Sequence, residues 1–224
     1  MFQGLADFFA QYRAMLSKAE KRRREAGSNA ILAALLPRLG PDDTVIDCGA
    51  NVGLVTGALA ATGARVIAFE PDPVAFDALS QAQGTAPNVS LHNAAVGVRN
   101  GEISLMRDRS FHKDPLTRTV RSTTVPGGRR IAGATLSVPL IDLPAFLANH
   151  IAAHGDITFL KLDIEGAEID ILEALEQQSL FDHITLTVAE THEKKFAHLR
   201  PRFRKLRRRI SDRYPVSRVN LDWN

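Results

Sequence analysis

One cysteine, Cys48, is all that these 224 residues contain. It excludes an internal disulfide and a cysteine-built zinc site, and it makes a reducing, cytoplasmic setting the default. No apolar run nears the ~18 residues that a membrane-spanning helix needs. The opening stretch is broken by Asp7 and Arg13, so it does not read as a signal-peptide core. There is no internal repeat and no low-complexity tract, which excludes solenoids and disordered arrays. What remains is a chain with 45% hydrophobic residues, ordinary for a globular protein. Its length fits one domain with short appendages.

The net charge of +3 hides a split. Residues 1–26 carry +3, residues 27–198 carry −7 and residues 199–224 carry +7. An acidic body is a poor channel for polyphosphate, so nucleic acid is not an expected partner. The two basic ends read first as solvated helix faces. Their second reading is a weak contact with an anionic membrane surface or with another copy of the chain.

Residues 2–20 place Phe2, Leu5, Phe9, Tyr12, Leu16 and Ala19 three and four apart, one helical stripe. With a second helix over 29–38 this predicts an N-terminal helical extension, 1–40, ahead of a main domain, 41–224. In that domain short apolar runs alternate with helical segments. Strands are expected at 44–46, 65–69, 89–91, 157–162, 184–189 and 219–221. Helices are expected at 52–61, 73–83, 169–175 and 201–210. Such alternation predicts an α/β protein with a mostly parallel sheet and helices on both faces. The stretch 98–141 is less regular: an edge strand over 101–106, its partner over 136–140 and a polar loop between. A loop of that length is usually functional, and substrate choice is expected there.

Asp47-Cys48-Gly49-Ala50-Asn51-Val52-Gly53 follows the first strand. Glycines let a backbone turn sharply and approach a ligand, and the next helix offers its N-terminal N–H groups. The second strand ends in Glu70, 17 residues past Gly53. A carboxylate there accepts hydrogen bonds from both hydroxyls of a ribose. The loop is G-x-N-x-G rather than the dinucleotide G-x-G-x-x-G. The acid just ahead of it would repel a pyrophosphate but suits a cationic ligand. S-adenosylmethionine has an ammonium, a sulfonium and a ribose, and is favoured over a nicotinamide cofactor. A plain glycine turn with Glu70 as a helix-preceding acid is the bland alternative.

Two further strand ends are rich in acids. Lys161-Leu162-Asp163-Ile164-Glu165-Gly166-Ala167-Glu168 opens into a helix, where Asp163 or Glu165 would serve as a cap. Three carboxylates in six residues exceed that need. Glu190-Thr191-His192-Glu193 ends the next strand, on the edge where open α/β sheets bind ligands. A lone histidine is as easily a packing residue.

These motifs, with Phe69-Glu70-Pro71 and Asn93-Ala94-Ala95-Val96-Gly97, resemble the FkbM family of S-adenosylmethionine-dependent methyltransferases. The likeness runs from about Asp42 to Glu193, and the ending Val219-Asn220-Leu221-Asp222-Trp223 is also similar. It implies a Rossmann-like class I methyltransferase fold with a seven-stranded type of sheet. It also implies methyl transfer, usually to oxygen, on a glycan or secondary metabolite. On this reading Asp47 and the loop Gly49, Asn51, Gly53 hold the methionine part and Glu70 the ribose. Asn93 and Ala94 lie beside the adenine, and Asp163 borders the cofactor. Asp163, Glu165, Glu190 and His192 face the transfer site, with His192 as general base. No dedicated metal site is assigned, though a His/Asp/Glu set holding a divalent ion is an alternative. Two other readings stand beside this one: a non-catalytic nucleoside-cofactor-binding protein of the same fold, and a nicotinamide-dependent oxidoreductase.

Overall fold

The computed structural model describes residues 30–108, 111–119, 122–126, 131–193 and 195–223. The stripe at 2–20 and most of the 1–40 extension lie outside the described residues.

Among the described residues nine strands occur in chain order: β1 (Thr44–Cys48), β2 (Arg65–Phe69), β3 (Val89–His92), β4 (Ala95–Gly97), β5 (Gly101–Asp108), β6 (Ile131–Asp142), β7 (Ile157–Leu162), β8 (Ile184–Ala189) and β9 (Val219–Asn220). After a helical segment at 30–35 the helices are α1 (Leu54–Ala60), α2 (Pro73–Gln83), the short α3 (Pro115–Arg118), α4 (Leu143–His154), α5 (Glu168–Gln177) and α6 (Arg200–Arg213). The main sheet has the order β3-β2-β1-β7-β8-β9, and every pairing in it is parallel.

Alternation along the central strands sends side chains to opposite faces. Ile46, Ile67, Phe69, Leu160 and Leu162 pack with Leu147 of α4, Leu172 of α5 and Phe203 of α6. Val45, Val66, Phe159 and Val188 pack on the other side with Leu59 of α1, Trp223 and the partly buried Leu32 and Leu35. Covering both faces explains why these strands read as continuous apolar runs.

The expected α/β architecture is therefore present. Its sheet differs from the seven-stranded type in having six strands among the described residues. The chain reaches β9 by a β8–α6–β9 crossover, which delivers a parallel neighbour. Antiparallel contact at that end is the single bridge Glu190–Asp222. Much of the stretch 98–141 forms a second sheet, β4-β6-β5, with a small core of Ala95, Leu105, Val138 and Leu140.

The last basic helix keeps the expected solvent-facing side, with Arg202, Arg204, Lys205, Arg208 and Arg209 exposed. Phe203, Leu206 and Ile210 are buried as the spacing predicts. The arginines, however, are paired: Arg202 with Asp170 and Glu173, Arg209 with Glu176, Arg207 with Asp222, Arg213 with Asp182. The acidic body neutralises much of this positive end. No helix among the described residues is long and apolar enough to cross a membrane.

Candidate active site

The strand order lines up Asn93, Glu70, Gly49, Asp163 and Glu190 along one carboxyl edge of the main sheet, each just past its strand. At the centre β1 and β7 run so close that a Cβ on Gly49 would lie 1.9 Å from the Asp163 carbonyl oxygen. Gly49 has φ +79°, and Asn51 also adopts a left-handed conformation at φ +50°. A Cβ on Gly53 would lie 2.7 Å from Leu79 Cδ1. The loop is thus pressed between β7 and α2.

Glu70 is buried at the turn. Its Oε2 accepts the Asn51 N–H at 2.9 Å and its Oε1 the Asp72 N–H at 2.8 Å. Burial pushes its pKa up to about 7, against the two N–H bonds and with the Asp72 charge adding to the rise. Each oxygen keeps a second acceptor direction. The Asn93 amide donates to the Glu70 carbonyl at 2.8 Å, which ties β3 to β2, and Ala94 is buried behind it.

Asp47 points inward. It lies beside Lys161 across the β1–β7 register, on the α1 face. Lys161 Nζ donates to Asp47 Oδ1 and to the Gly49 carbonyl, both at 3.0 Å, and Thr56 Oγ1 donates to Asp47 Oδ2 at 2.8 Å. Burial opposes a charged Lys161, but Asp47 and Asp163 outweigh it and raise its pKa. Each Asp47 oxygen accepts one bond that fastens the loop from below, and the side chain is fully buried. Burial, with the Asp47 charge next, pushes the Cys48 thiol far up, so it is not a nucleophile.

The third cluster gathers four acids and one histidine. Glu168, in the first turn of α5, accepts the N–H groups of Ile164 and Gly166 and receives His192 Nδ1 at 2.9 Å. His192 Nε2 then faces Glu165 Oε2 and Glu190 Oε1, each at 3.6 Å. Lys195 pairs with Glu165 from outside. Burial alone would raise Glu165, yet His192 and Lys195 hold it at about 2. Burial alone would lower His192, yet Glu168 and Glu165 hold it well above its ordinary value. The two acids thus favour the charged form of the imidazole assigned as base. Glu168 belonged to the quoted motif without a role. Its place three residues after Glu165, inside a strand-to-helix turn, was the available signal.

The excursion between β5 and β6 straps down over this edge. Arg107 makes a bidentate pair with buried Asp72 at 2.9 and 2.7 Å, and Ser122 Oγ joins at 3.0 Å. Asn51 Nδ2 donates to Thr119 Oγ1 at 3.1 Å, and Thr123 Oγ1 donates to the Glu165 carbonyl at 2.6 Å. Asp72 meanwhile caps α2 through the Val74 N–H. The strap touches the loops after β1, β2 and β7, a link that no local motif announced. Bidentate charged pairs are worth roughly 1.5–3 kcal/mol. Arg107→Ala is therefore expected to speed amide exchange in residues 111–119 and 122–126 by roughly 10–100-fold while β1 and β7 stay protected. Equal exchange in the variant would mean that the pair does not fasten the strap.

The methyltransferase FkbM domain family matches this chain over residues 47–213. The hexuronic acid methyltransferase AglP of Haloferax volcanii is 25% identical over 170 residues, 74% of this chain and 63% of that protein. The methyltransferase sdnD of Sordaria araneosa is 26% identical over 211 residues, 80% of this chain and 76% of that one. A crystal structure of an FkbM methyltransferase from Methylobacillus flagellatus aligns with TM-score 0.37 and 18% identity, covering 66% of this chain and 33% of that one. The chain thus spans under two thirds of the archaeal relative and a third of the solved chain.

Proposed function

The chain belongs to the methyltransferase FkbM domain family, and from that premise we propose that it moves a methyl group from S-adenosylmethionine to a hydroxyl oxygen of a sugar, glycan or secondary metabolite. The observation that carries this reading is Glu70 beside the Gly49–Gly53 loop, with a second acceptor direction left on each oxygen. The residues suit a cationic nucleoside: the nearby cation Lys161 is spent on Asp47 and the Gly49 carbonyl, and the neighbouring strand ends carry acids. When bound, the cofactor supplies an electrophilic methyl on a sulfonium.

Glu70 would take the two ribose hydroxyls, and Asn93 and Ala94 would border the base. The loop from Gly49 to Gly53 would carry the amino-acid part through backbone groups, because the Asp47 carboxylate is fully buried. Asp163 would stand between cofactor and acceptor, with Glu165, Glu190 and His192 beyond it. Their work is to seat a hydroxyl and accommodate its proton, a task governed by alignment. A sugar acceptor fits such a row of carboxylates, which accept hydrogen bonds from neighbouring hydroxyls. The relative whose name specifies hexuronic acid leans the same way.

Calorimetry with S-adenosylhomocysteine tests the reading. Glu70→Ala is expected to weaken binding by roughly 10–150-fold, the value of charge-assisted hydrogen bonds to a carboxylate. The pH dependence has a definite sign. The Glu70 pKa is raised to about 7, so the carboxylate form that grips a diol is gained as pH rises through 7. Wild-type affinity should climb between pH 6 and 8 and level off above, and Glu70→Ala should flatten that slope. Unchanged affinity in the variant removes Glu70 from the site. A preference for NAD would favour the oxidoreductase reading, and cofactor binding without methyl transfer to any hydroxyl acceptor the non-catalytic one.

A further inference from the structure

We propose that Asp163, Glu165 and His192 form a binding site for one divalent cation of the magnesium–manganese class. Each of the three offers a ligand atom, and these atoms lie within 4.8 Å of one another. Ions with ligand bonds of roughly 2.0–2.4 Å bridge donors at such spacings after small side-chain adjustments.

Acids alone would not make the case, because they gather at helix starts for other reasons. The independent observation is His192. Its ring is buried, and its Nε2 has no hydrogen-bond partner. A buried polar atom that makes no hydrogen bond is costly, so native proteins rarely keep one without a use. The Nδ1 side is fixed by Glu168 at 2.9 Å. That contact fixes the ring so that Nε2 points at the carboxylates, where an arriving cation would take the place of a proton. Carboxylate–histidine–metal chains are built this way, with the outer acid orienting the ring.

The surroundings fit an ion as well. Glu190 Oε1, at 3.6 Å from the same Nε2, borders the cluster as a fourth oxygen donor. The Asp163 side chain is 28% exposed, which leaves the site a path to solvent. Lys195, 42% exposed, lies on Glu165 where the ion would add positive charge. Its flexible ammonium is a placeholder that an arriving cation would displace. Two carboxylates and one imidazole suit Mn²⁺ or Mg²⁺ better than a thiolate-seeking metal. Only the use of the ion rests on the proposed methyl transfer: it would ligate an acceptor hydroxyl and ease loss of its proton. The site itself does not depend on that reading.

Mn²⁺ titration of the full chain, followed by the loss of the free-ion electron paramagnetic resonance signal, tests the site. Wild type is expected to bind one Mn²⁺ per chain. Asp163→Asn and Glu165→Gln should each weaken binding at least ~10-fold, and Glu168→Gln by ~10–100-fold through the ring it orients. Lys195→Met should tighten it severalfold. S-adenosylhomocysteine affinity, measured on the same samples, reports on folding and on the function reading separately. Mn²⁺ binding without nucleoside binding sinks the function and keeps the site. Should Glu165→Gln fail to fold, the more exposed Asp163→Asn and Lys195→Met decide alone. No Mn²⁺ bound at millimolar concentration, or affinity indifferent to Asp163→Asn and Lys195→Met, overturns the proposal.

Discussion

Lys161→Met is expected to lower stability by about 3–5 kcal/mol, because it strands a buried carboxylate. Lys161 Nζ is held by Asp47 Oδ1 and the Gly49 carbonyl, and Asp47 is fully buried. Methionine matches the volume of the lysine stem but carries no charge. Asp47 would be left with the Thr56 hydroxyl as its one side-chain donor among the contacts described. The Gly49 carbonyl would lose a partner in the same step. Adding Asp47→Asn should recover at least half of the loss, since the uncompensated charge is then gone. Urea unfolding of wild type, both single variants and the double variant gives the coupling directly. A single-variant loss under ~1 kcal/mol, or strict additivity, would show that the pair is not what holds the β1–β7 seam.

That pair also explains where sequence reasoning reached and where it stopped. The runs Ile157–Leu162 and Ile184–Ala189 became β7 and β8 with those bounds, because strands covered on both faces read as unbroken apolar stretches. Strand ends were legible for the same reason, so Glu70, Asp163 and Glu190 fall on one edge. Helix α4 escaped notice. Its sequence LPAFLANHIAAH is apolar nearly all round, which blurs the 3.6-residue period. The Asp142 cap followed by Pro144 was the signal to use.

Partners were not legible. Asp47 and Lys161 lie 114 residues apart, Asp72 and Arg107 lie 35 apart, and Glu168 and His192 lie 24 apart. Nothing in the spacing of a charged residue says which other charge the fold will bring to it. Asp47 was read as a ligand for the methionine part of a cofactor because it ends a strand beside a glycine loop. Strand pleat gives it a partner within the fold as well: Asp47 and Lys161 share a register position and a face. Glu70 and Asp163 lie beyond their strands, and Asp163 Oδ2 still stands 3.8 Å from Lys161 Nζ.

Gly49→Ala is the substitution expected to damage cofactor site and fold together. The added Cβ would sit 1.9 Å from the Asp163 carbonyl oxygen and 2.8 Å from its carbon. Both are backbone atoms of the adjacent strand end, held by the Asp163 N–H to the Cys48 carbonyl at 3.0 Å. No rotamer change relieves such a contact, so the ends of β1 and β7 must part. The φ of +79° adds the left-handed cost of about 1–2 kcal/mol for a residue with a Cβ. Gly155 supplies the control: its φ is +89°, and a Cβ there meets nothing within 4 Å. Gly155→Ala should therefore lose only the conformational part, about 1–3 kcal/mol for its glycine-favoured φ +89°, ψ −170°. Gly49→Ala should lose clearly more, by ~2 kcal/mol or beyond, as over-packing does in a tight core. It should also abolish S-adenosylhomocysteine binding and weaken Mn²⁺ binding, because Asp163 moves with its carbonyl. Equal losses at the two glycines, read by urea unfolding, would mean that the approach of β1 to β7 is more yielding than its 1.9 Å contact implies.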